Sequence, residues 1–332
     1  MASIPFQYTP LDKGKTEIRL LEIIPQVDSS LKYSLTTSNL KTSPPYIALS
    51  YTWGNDEPSH TIVVNGRVFK VRDNLSYVLP HLAKLRRNGE QSGFRRDEQY
   101  FWIDAICIDQ QDTKERNHQV AIMADIFNSA SLTIAWLGPE DEHFRTLTTV
   151  NLGDLQKSRD SRESHANLQR RLLAELQELQ NHGEDGLSHP LDSPTPYDAA
   201  FDQDFNEDEE QLWHQVKSCM EKIACMEYFT RMWIIQEILL SRELWVMCGN
   251  SICTWRALEE CWLHCFGIGD PRYRDLAFKV SKFMDRVLEE VRNPTDPLHS
   301  VMASRFLRNE RSFRLDVLVH LYHDRRCKDP LD

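Results

Sequence analysis

The sequence predicts an α/β fold in which a parallel sheet is flanked by helices. Short β-rich runs alternate with amphipathic helical segments along residues 46–137, which is typical of parallel strands joined by crossover helices. The run 100–108 (YFWIDAICI) is almost continuously apolar, as expected for a central strand covered on both faces. Together these two patterns favour a layered α/β domain over an all-helical or an all-β one.

Local patterns predict the N-terminal elements. Residues 17–24 (EIRLLEII) and 46–51 (YIALSY) are predicted strands. Within 61–71 (TIVVNGRVFKV), Asn65-Gly66 separates two apolar-rich arms. This dipeptide predicts a β-hairpin, because both central residues of a type I′ turn need positive φ.

Helices are predicted to follow the hairpin and the central strand. Asp73 or Asn74 caps a helix that runs to about Arg87, with its apolar residues on one face. A second helix is predicted over about 113–130, and residues 132–137 (LTIAWL) form the next strand.

The second half of the chain begins with a predicted insertion over 140–210, a polar helix followed by a flexible acidic loop. Its part 184–210 holds ten Asp or Glu residues and no Lys or Arg. The α/β pattern then resumes with a helical region over 211–240 and a strand at 244–248 (LWVMC).

The remainder, 254–332, is predicted to be a helical C-terminal part of the same domain, so that 1–332 forms a single domain. Its predicted helices are 254–266, 271–293 and 313–326.

Composition and charge exclude several classes of partner. The net charge is −11, with 39 Lys and Arg against 50 Asp and Glu, which argues against binding of duplex nucleic acid. The apolar runs are too short to cross a bilayer, so no membrane partner is expected. Residues 1–15 lack the apolar run of a secretory signal, which predicts a cytoplasmic protein whose eight cysteines are free thiols.

Three segments carry a longer and more specific pattern: 46–54 (YIALSYTWG), 101–110 (FWIDAICIDQ) and 231–237 (RMWIIQE). Together they resemble the fungal heterokaryon incompatibility (HET) domain, and the resemblance covers nearly the whole chain apart from 140–210. It implies an effector of heterokaryon incompatibility, a form of programmed cell death and innate immunity in fungi. Because family members often carry further modules, an upstream sensor domain or protein is an expected partner.

The HET family is similar in fold to Toll/interleukin-1 receptor (TIR) domains, which have a five-stranded parallel sheet in a flavodoxin-like order and often cleave NAD. Their catalytic glutamate lies on a helix before the fourth strand, four residues after a tryptophan. Trp233 and Glu237 have that spacing, and 244–248 supplies the strand after them. The resemblance therefore implies an NAD nucleosidase that acts on self-association, with Glu237 as its catalytic carboxylate and NAD as substrate rather than as bound cofactor.

The chemistry is consistent with a single carboxylate. Cleavage of the nicotinamide–ribose bond passes through an oxocarbenium-like state, as glycoside hydrolysis does, and nicotinamide leaves as a neutral group without a general acid. Glu237 would stabilise the cation, and Trp233, one helical turn away on the same face, would wall the pocket. The alternative is that Glu237 is a surface or ion-paired residue of an amphipathic helix.

Further candidate pocket residues follow the first parallel strand. Ser50, Tyr51, Trp53 and Gly54 lie where doubly wound sheets bind ligands, beyond the carboxyl ends of the strands. Trp53 would stack on a ring, and Gly54 would allow close backbone approach. The alternative for the two aromatic residues is a buried corner. No glycine-rich phosphate loop of the dehydrogenase or P-loop type is present.

Asp104 and Arg231 are candidates with two interpretations each. Asp104 interrupts an apolar run, and a buried carboxylate is either paired or functional. The structural interpretation pairs Asp104 with Arg231 or with a helix N-terminus. The functional one places Asp104 in the pocket and Arg231 on a phosphate. Cys261, His264 and Cys265 share one helix face, but they lack a fourth ligand, so no metal site is predicted.

A second function of a different class stays open. A HET domain would also signal death without catalysis, as a module that acts by homotypic protein–protein assembly.

Overall fold

The structure is a computed structural model that describes residues 4–12, 14, 16–26, 30–54, 57–88, 99–150, 207–231 and 233–262. These residues form two compact units. The first contains the described residues of 1–145 and 226–255, and the second contains those of 146–225 and 256–262. The candidate site residues named above all lie in the first unit.

The described strands are β1 (Glu17–Pro25), β2 (Leu31–Asn39), β3 (Tyr46–Tyr51), β4 (His60–Val64), β5 (Arg67–Val71), β6 (Tyr100–Trp102), β7 (Leu132–Gly138), β8 (Leu244–Cys248) and β9 (Ser251–Thr254). The described α-helices are α1 (Asp73–Asn88), α2 (Asp104–Cys107), α3 (Thr113–Ala121), α4 (Met123–Ser129), α5 (Glu142–Thr149), α6 (Glu207–Ala224), α7 (Ile234–Leu240) and α8 (Trp255–Trp262). Short 3₁₀ helices span Leu40–Thr42 and Glu227–Thr230.

The strands form one mixed sheet in the order β5-β4-β2-β1-β6-β3-β7-β8-β9. Its centre, β6-β3-β7-β8, is parallel, whereas β1 pairs antiparallel with β6 and β9 pairs antiparallel with β8. Helix α1 contacts β1 and β7, and α7 contacts β7 and α4. The α/β prediction is confirmed in this form: a sheet with a parallel centre flanked by helices, into which the N-terminal strand and the hairpin are incorporated.

Several elements agree with the sequence patterns. Strand β3 lies centrally in the sheet and all six of its residues are buried. The hairpin of β4 and β5 turns at Asn65 and Gly66, whose φ angles of 49° and 74° confirm the type I′ prediction.

The predicted central strand over 100–108 is wrong beyond Trp102. The chain leaves the sheet there, and residues Asp104–Cys107 form the single-turn helix α2, in which the Cys107 amide donates to the Ile103 carbonyl at 2.7 Å. Ile106 and Cys107 stay buried. A continuous apolar run satisfies a buried helical turn as well as a strand, which is why its pattern misled.

Two predicted long helices are each interrupted. The helix over 113–130 breaks at Ile122, whose φ and ψ of −108° and 8° separate α3 from α4. The region 211–240 is not one helix, since α6 ends at Ala224 and a 3₁₀ turn, Glu227–Thr230, precedes α7.

Strands β2 and β9 were not predicted. The sequence of β2, LKYSLTTSN, is polar and buries only Tyr33 and Leu35 among its nine residues. It is held by pairing with β1 along its whole length, from Glu17↔Asn39 to Pro25↔Leu31. Strand β2 is therefore stabilised by backbone pairing with the apolar strand β1, and it lacks the alternating side-chain pattern by which most strands are recognised.

Several other predictions fall partly or wholly outside the described residues. Of the acidic loop predicted over 184–210, residues 184–206 lie outside them, and 207–210 are not loop but the first turn of α6. The helices at 271–293 and 313–326 also lie outside the described residues, and of the predicted helix 254–266 the described part is α8. Cys107, Cys225, Cys248 and Cys253 are free thiols, as predicted. Within the described ranges no helix combines the length and apolar character that a bilayer crossing needs.

The first unit contains a buried ion pair between β1 and α3. Arg19 Nη1 donates to Glu115 Oε1 at 2.6 Å and Nη2 donates to Oε2 at 2.9 Å, with side chains only 3% and 4% exposed. Arg19 also donates to the Cys107 and Thr9 carbonyls, and Glu115 accepts from the Asp109 amide at 2.7 Å. These bonds fasten the segment after β6 to the N-terminal strand.

Candidate functional site

A cluster of ionisable side chains lies at the carboxyl ends of the parallel strands. Ser50 is near the end of β3, and Asp104 follows the end of β6. Glu237 is in the first turn of α7, which leads into β8. Because a crossover helix runs opposite to the parallel strands, its N-terminal half lies at their carboxyl edge, where α/β sheets place ligands.

Glu237 is buried and held through one carboxylate oxygen. The Ser50 hydroxyl donates to Glu237 Oε2, and the Tyr228 hydroxyl lies 2.5 Å from Ser50 Oγ. As whole residues, Glu237 is 4% exposed, and Ser50 and Tyr228 are each 1% exposed. The serine predicted from the strand end and the glutamate predicted from the helix are therefore in direct contact.

Arg231 faces the other oxygen of Glu237. Its Nη2 is 3.8 Å from Oε1, an ion-pair distance too long for a hydrogen bond. Its Nη1 is buried and has no hydrogen-bond partner in the described part of the chain. Burial raises the pKa of Glu237 above its usual range, and the attraction of Arg231 and the Ser50 hydrogen bond offset this only in part.

Asp104 is bonded to Trp53 rather than to Arg231. Trp53 Nε1 donates to Asp104 Oδ2 and the Ala105 amide donates to Oδ1, both at 2.7 Å. Of the two partners that the structural interpretation offered, the helix N-terminus is present as the start of α2, and no direct pair with Arg231 is found among the described residues. Burial, together with the Glu237 carboxylate, raises the pKa of Asp104 to about 6.

Trp53 and Gly54 are both in contact with Arg72. The Arg72 guanidinium lies 5.3 Å from the centre of the Trp53 ring, and its Nη1 donates to the Gly54 carbonyl at 3.1 Å. Gly54 has φ of 79°, and a Cβ there would meet nothing within 4 Å. Its left-handed backbone therefore accounts for the glycine without a tightly packed neighbour.

The two remaining predicted residues are Tyr51 and Trp233. Tyr51 is buried at the end of β3, and burial, with Asp104 nearby, raises the pKa of its phenol. This is the buried corner that the structural interpretation expected. Trp233 is half-buried against the core, and the Glu237 amide donates to its carbonyl at 3.3 Å, which confirms that the two residues are one turn apart.

Sequence reasoning missed Tyr228 and Arg72. Tyr228 lies in the 3₁₀ turn before Arg231, within a region predicted to be continuous helix, and no motif marks it. Arg72 follows β5 directly, where a charged residue after a strand is unremarkable by pattern. Tertiary contacts alone bring Tyr228 to Ser50 and Arg72 to Trp53.

The raised pKa of Asp104 predicts a specific pH dependence of stability. A carboxyl whose folded pKa of about 6 exceeds its ordinary 3.8 binds its proton more tightly when folded. Its contribution is therefore present at low pH and lost as the pH rises through about 6. Compared with wild type, Asp104→Asn should gain about 1–2 kcal/mol of unfolding free energy between pH 4.5 and 7.5, measured by urea unfolding.

Taking the difference in unfolding free energy between Asp104→Asn and wild type cancels the contributions of groups other than Asp104. Asparagine is neutral at both pH values, so any constant change in hydrogen bonding to Trp53 or Ala105 drops out of the difference, and groups other than Asp104 titrate in both proteins. A difference between the two proteins that stays constant with pH would show that Asp104 is not the titrating group.

No metal centre is found among the residues that the structure describes: no three His, Cys, Asp or Glu side chains are placed to hold an ion. Of the three helical residues considered for a metal, Cys261 is buried, whereas residues 264 and 265 lie outside the described ranges.

Comparison with known proteins gives a family but no solved relative. The family described as heterokaryon incompatibility protein (HET) matches residues 46–237, from the start of β3 to Glu237. Heterokaryon incompatibility protein 6, OR allele, of Neurospora crassa is 30% identical over 266 residues, which cover 75% of this chain and 35% of that protein. The chain thus spans about a third of the length of this curated relative. No solved structure matches the chain.

The match includes the strand that carries Ser50, the segment around Asp104 and the turn that carries Tyr228 and Arg231. It covers more than half of the chain, and the chain therefore belongs to the heterokaryon incompatibility protein (HET) family.

Proposed function

We propose that this HET domain is a cytoplasmic effector of heterokaryon incompatibility and programmed cell death that cleaves the nicotinamide–ribose bond of NAD. The observation that carries the proposal is the state of Glu237. Its Oε2 is fixed by Ser50, while its Oε1 has no hydrogen bond within the described residues and faces Arg231. A buried carboxylate with one oriented and one open oxygen suits a developing cation.

Arg231 adds a donor beside that open oxygen. Its Nη1 is buried without a partner among the described residues, a state that leaves a charged donor unsatisfied. A ribose hydroxyl between the two side chains would donate to Glu237 Oε1 and accept from Arg231. A phosphate oxygen of the substrate is the alternative acceptor for the same guanidinium.

The strand order supports a likeness to TIR domains. Counted among themselves along the chain, the parallel strands β3, β6, β7 and β8 stand in the order 2-1-3-4. This equals the first four positions of the flavodoxin-like order 2-1-3-4-5. Glu237 lies on the helix before the fourth parallel strand, four residues after Trp233, where TIR enzymes carry their glutamate.

The reaction would proceed as follows. The bond between ribose C1′ and the nicotinamide nitrogen breaks, and its electron pair leaves with neutral nicotinamide. The ionised Glu237 stabilises the oxocarbenium ion that remains. Water then adds to C1′ and releases one proton to solvent, or to a nearby base, which gives ADP-ribose. Asp104 would supply a second negative charge, and Trp53 would present a ring for stacking.

The proposal is tested by incubating the self-assembled protein with NAD and measuring free nicotinamide. We expect release that rises more steeply than protein concentration, because TIR-like sites are completed by neighbouring copies. Concentrated protein that kills cells but releases no nicotinamide would overturn the enzymatic proposal.

A second candidate is a non-enzymatic death-signalling module that acts by homotypic assembly. It is favoured by one observation: the Glu237 side chain is only 6% exposed and its bonds are all made within the chain, as in a structural cluster. In that case Glu237→Gln would leave killing intact, whereas in the enzymatic case it would abolish killing.

A further inference from the structure

Three buried side chains form a chain of hydrogen bonds that ends on Glu237. Tyr228 comes from the 3₁₀ turn Glu227–Thr230, Ser50 from β3 and Glu237 from α7. Ser50 is distant from its two partners in sequence, 178 positions from Tyr228 and 187 from Glu237. None of the three has another side-chain hydrogen bond in the described part of the chain.

The two hydrogen bonds are donated in the same direction, from Tyr228 to Ser50 and from Ser50 to Glu237. An ionised carboxylate only accepts, so the single hydroxyl proton of Ser50 is donated to Glu237 Oε2. The Ser50 oxygen then has no proton left for Tyr228, and the Tyr228 phenol must donate to it across 2.5 Å. Burial, with the Glu237 carboxylate nearby, raises the pKa of Tyr228 far above its ordinary range, so that the phenol keeps the proton it donates.

Tyr228 therefore decides what Ser50 does. A serine hydroxyl rotates freely and is donor or acceptor according to its surroundings. Because Tyr228 donates to a lone pair of the Ser50 oxygen, Ser50 keeps its own proton for donation to Glu237. The Tyr228 ring packs edge-on against Phe229, with ring centres 5.1 Å apart, and this packing holds its hydroxyl oxygen beside Ser50.

We propose that Tyr228 is a positioning residue that acts through Ser50 to hold one carboxylate oxygen of Glu237, which leaves the other oxygen, beside Arg231, for the substrate. The part that concerns substrate rests on the proposed NAD cleavage, whereas the orientation of Glu237 does not. Three charged or titratable groups interact electrostatically with Glu237: Arg231, Asp104 and Tyr228 itself.

The test uses Tyr228→Phe in the full chain, with ¹³C-labelled glutamate carboxyl groups observed by NMR. The Glu237 signal is assigned by its absence in Glu237→Gln. We expect the pKa of Glu237 to rise in Tyr228→Phe, because Ser50 loses the donor that strengthens its bond to the ionised carboxylate. Ser50→Ala should raise it at least as far, and Tyr228→Phe should add nothing once Ser50 is alanine.

Tyr46→Phe is the matched control. Tyr46 is equally buried and donates to the Ile126 carbonyl over the same 2.5 Å, but it has no contact with Glu237. A loss of stability without a change in the pKa of Glu237 is the expected result there. An unchanged pKa of Glu237 in Tyr228→Phe would overturn the positioning role, whatever Ser50→Ala shows.

Nicotinamide release separates this inference from the proposed function. Tyr228→Phe should lower kcat about 5- to 10-fold and change KM little, the size expected for one hydrogen bond made to the reacting carboxylate. If the pKa of Glu237 shifts but wild type releases no nicotinamide, the positioning stands and NAD cleavage fails. If wild type releases nicotinamide and neither the pKa nor kcat responds, the positioning fails.

Discussion

Glu237→Gln is expected to lower nicotinamide release by about 10²–10³-fold, the size associated with removal of one preorganised electrostatic group from an active site. The substitution keeps the size and shape of the side chain but removes its negative charge. A neutral amide lacks the full negative charge that would stabilise the cation on the ribose. It also directs either its oxygen or its NH₂ group at Ser50, so the open position changes character as well.

The fold is expected to survive this change. Because burial raises the pKa of Glu237, the folded state disfavours its ionised form, and a neutral isostere relieves that cost. The melting temperature should therefore be unchanged or higher, even though Arg231 loses a partner 3.8 Å away. Retained folding together with lost release is the signature of a catalytic rather than a structural glutamate.

Glu115→Gln is the matched control, since Glu115 is also a buried glutamate that faces an arginine. The opposite outcome is expected: stability falls, while release per folded molecule is retained. A folded Glu237→Gln protein that still releases nicotinamide at the wild-type rate would remove Glu237 from the mechanism.

Glu115→Ala is expected to have the largest effect on stability, a loss of about 3–5 kcal/mol of unfolding free energy. It leaves the Arg19 guanidinium buried with two carbonyl acceptors but no counter-charge. The Asp109 amide loses its acceptor too. Urea unfolding at pH 7 measures the loss.

A pH dependence accompanies this prediction. Burial works to raise the pKa of Glu115, but the hydrogen bonds from Arg19 and from the Asp109 amide outweigh it and hold the pKa below its ordinary value of 4.5. Stability from this carboxylate is thus complete above about pH 4.5 and is lost as the pH falls through the folded pKa. Glu115→Ala should lack that acid-sensitive part.

Glu22→Ala is the comparison for an ordinary ion pair. Glu22 lies 3.2 Å from Arg86, with side chains 26% and 22% exposed, so its loss should cost at most about 1 kcal/mol. If Glu115→Ala costs no more than Glu22→Ala, the Arg19–Glu115 pair does not carry the fold as described.

Local sequence sufficed for those elements whose signal lies within a few residues. The positive φ angles of Asn65 and Gly66 follow from their chemistry alone, and the buried run of β3 needs no partner to be recognised. The one-turn relation of Trp233 and Glu237 is helical geometry, and it holds although the helix is far shorter than predicted. The family pattern pointed to the same glutamate by resemblance.

Other elements depended on contacts that no local pattern contains. Strand β2 exists because β1 offers it nine backbone partners, and the apolar run after Trp102 turns into helix α2, whose Asp104 accepts from Trp53. Hydrophobic periodicity reports which residues are buried, not which backbone conformation buries them.

By itself, the sequence determined the fold class, the parallel core strands, the hairpin turn and the candidates Ser50, Asp104, Arg231 and Glu237. The tertiary structure alone decided how they combine. In the folded protein Ser50 is hydrogen-bonded to Glu237, Asp104 is hydrogen-bonded to Trp53 and not to Arg231, and Tyr228 is hydrogen-bonded to Ser50. The physical reason is that backbone conformation is set within a few residues, whereas a contact between residues almost two hundred positions apart is set by the order of strands in the sheet.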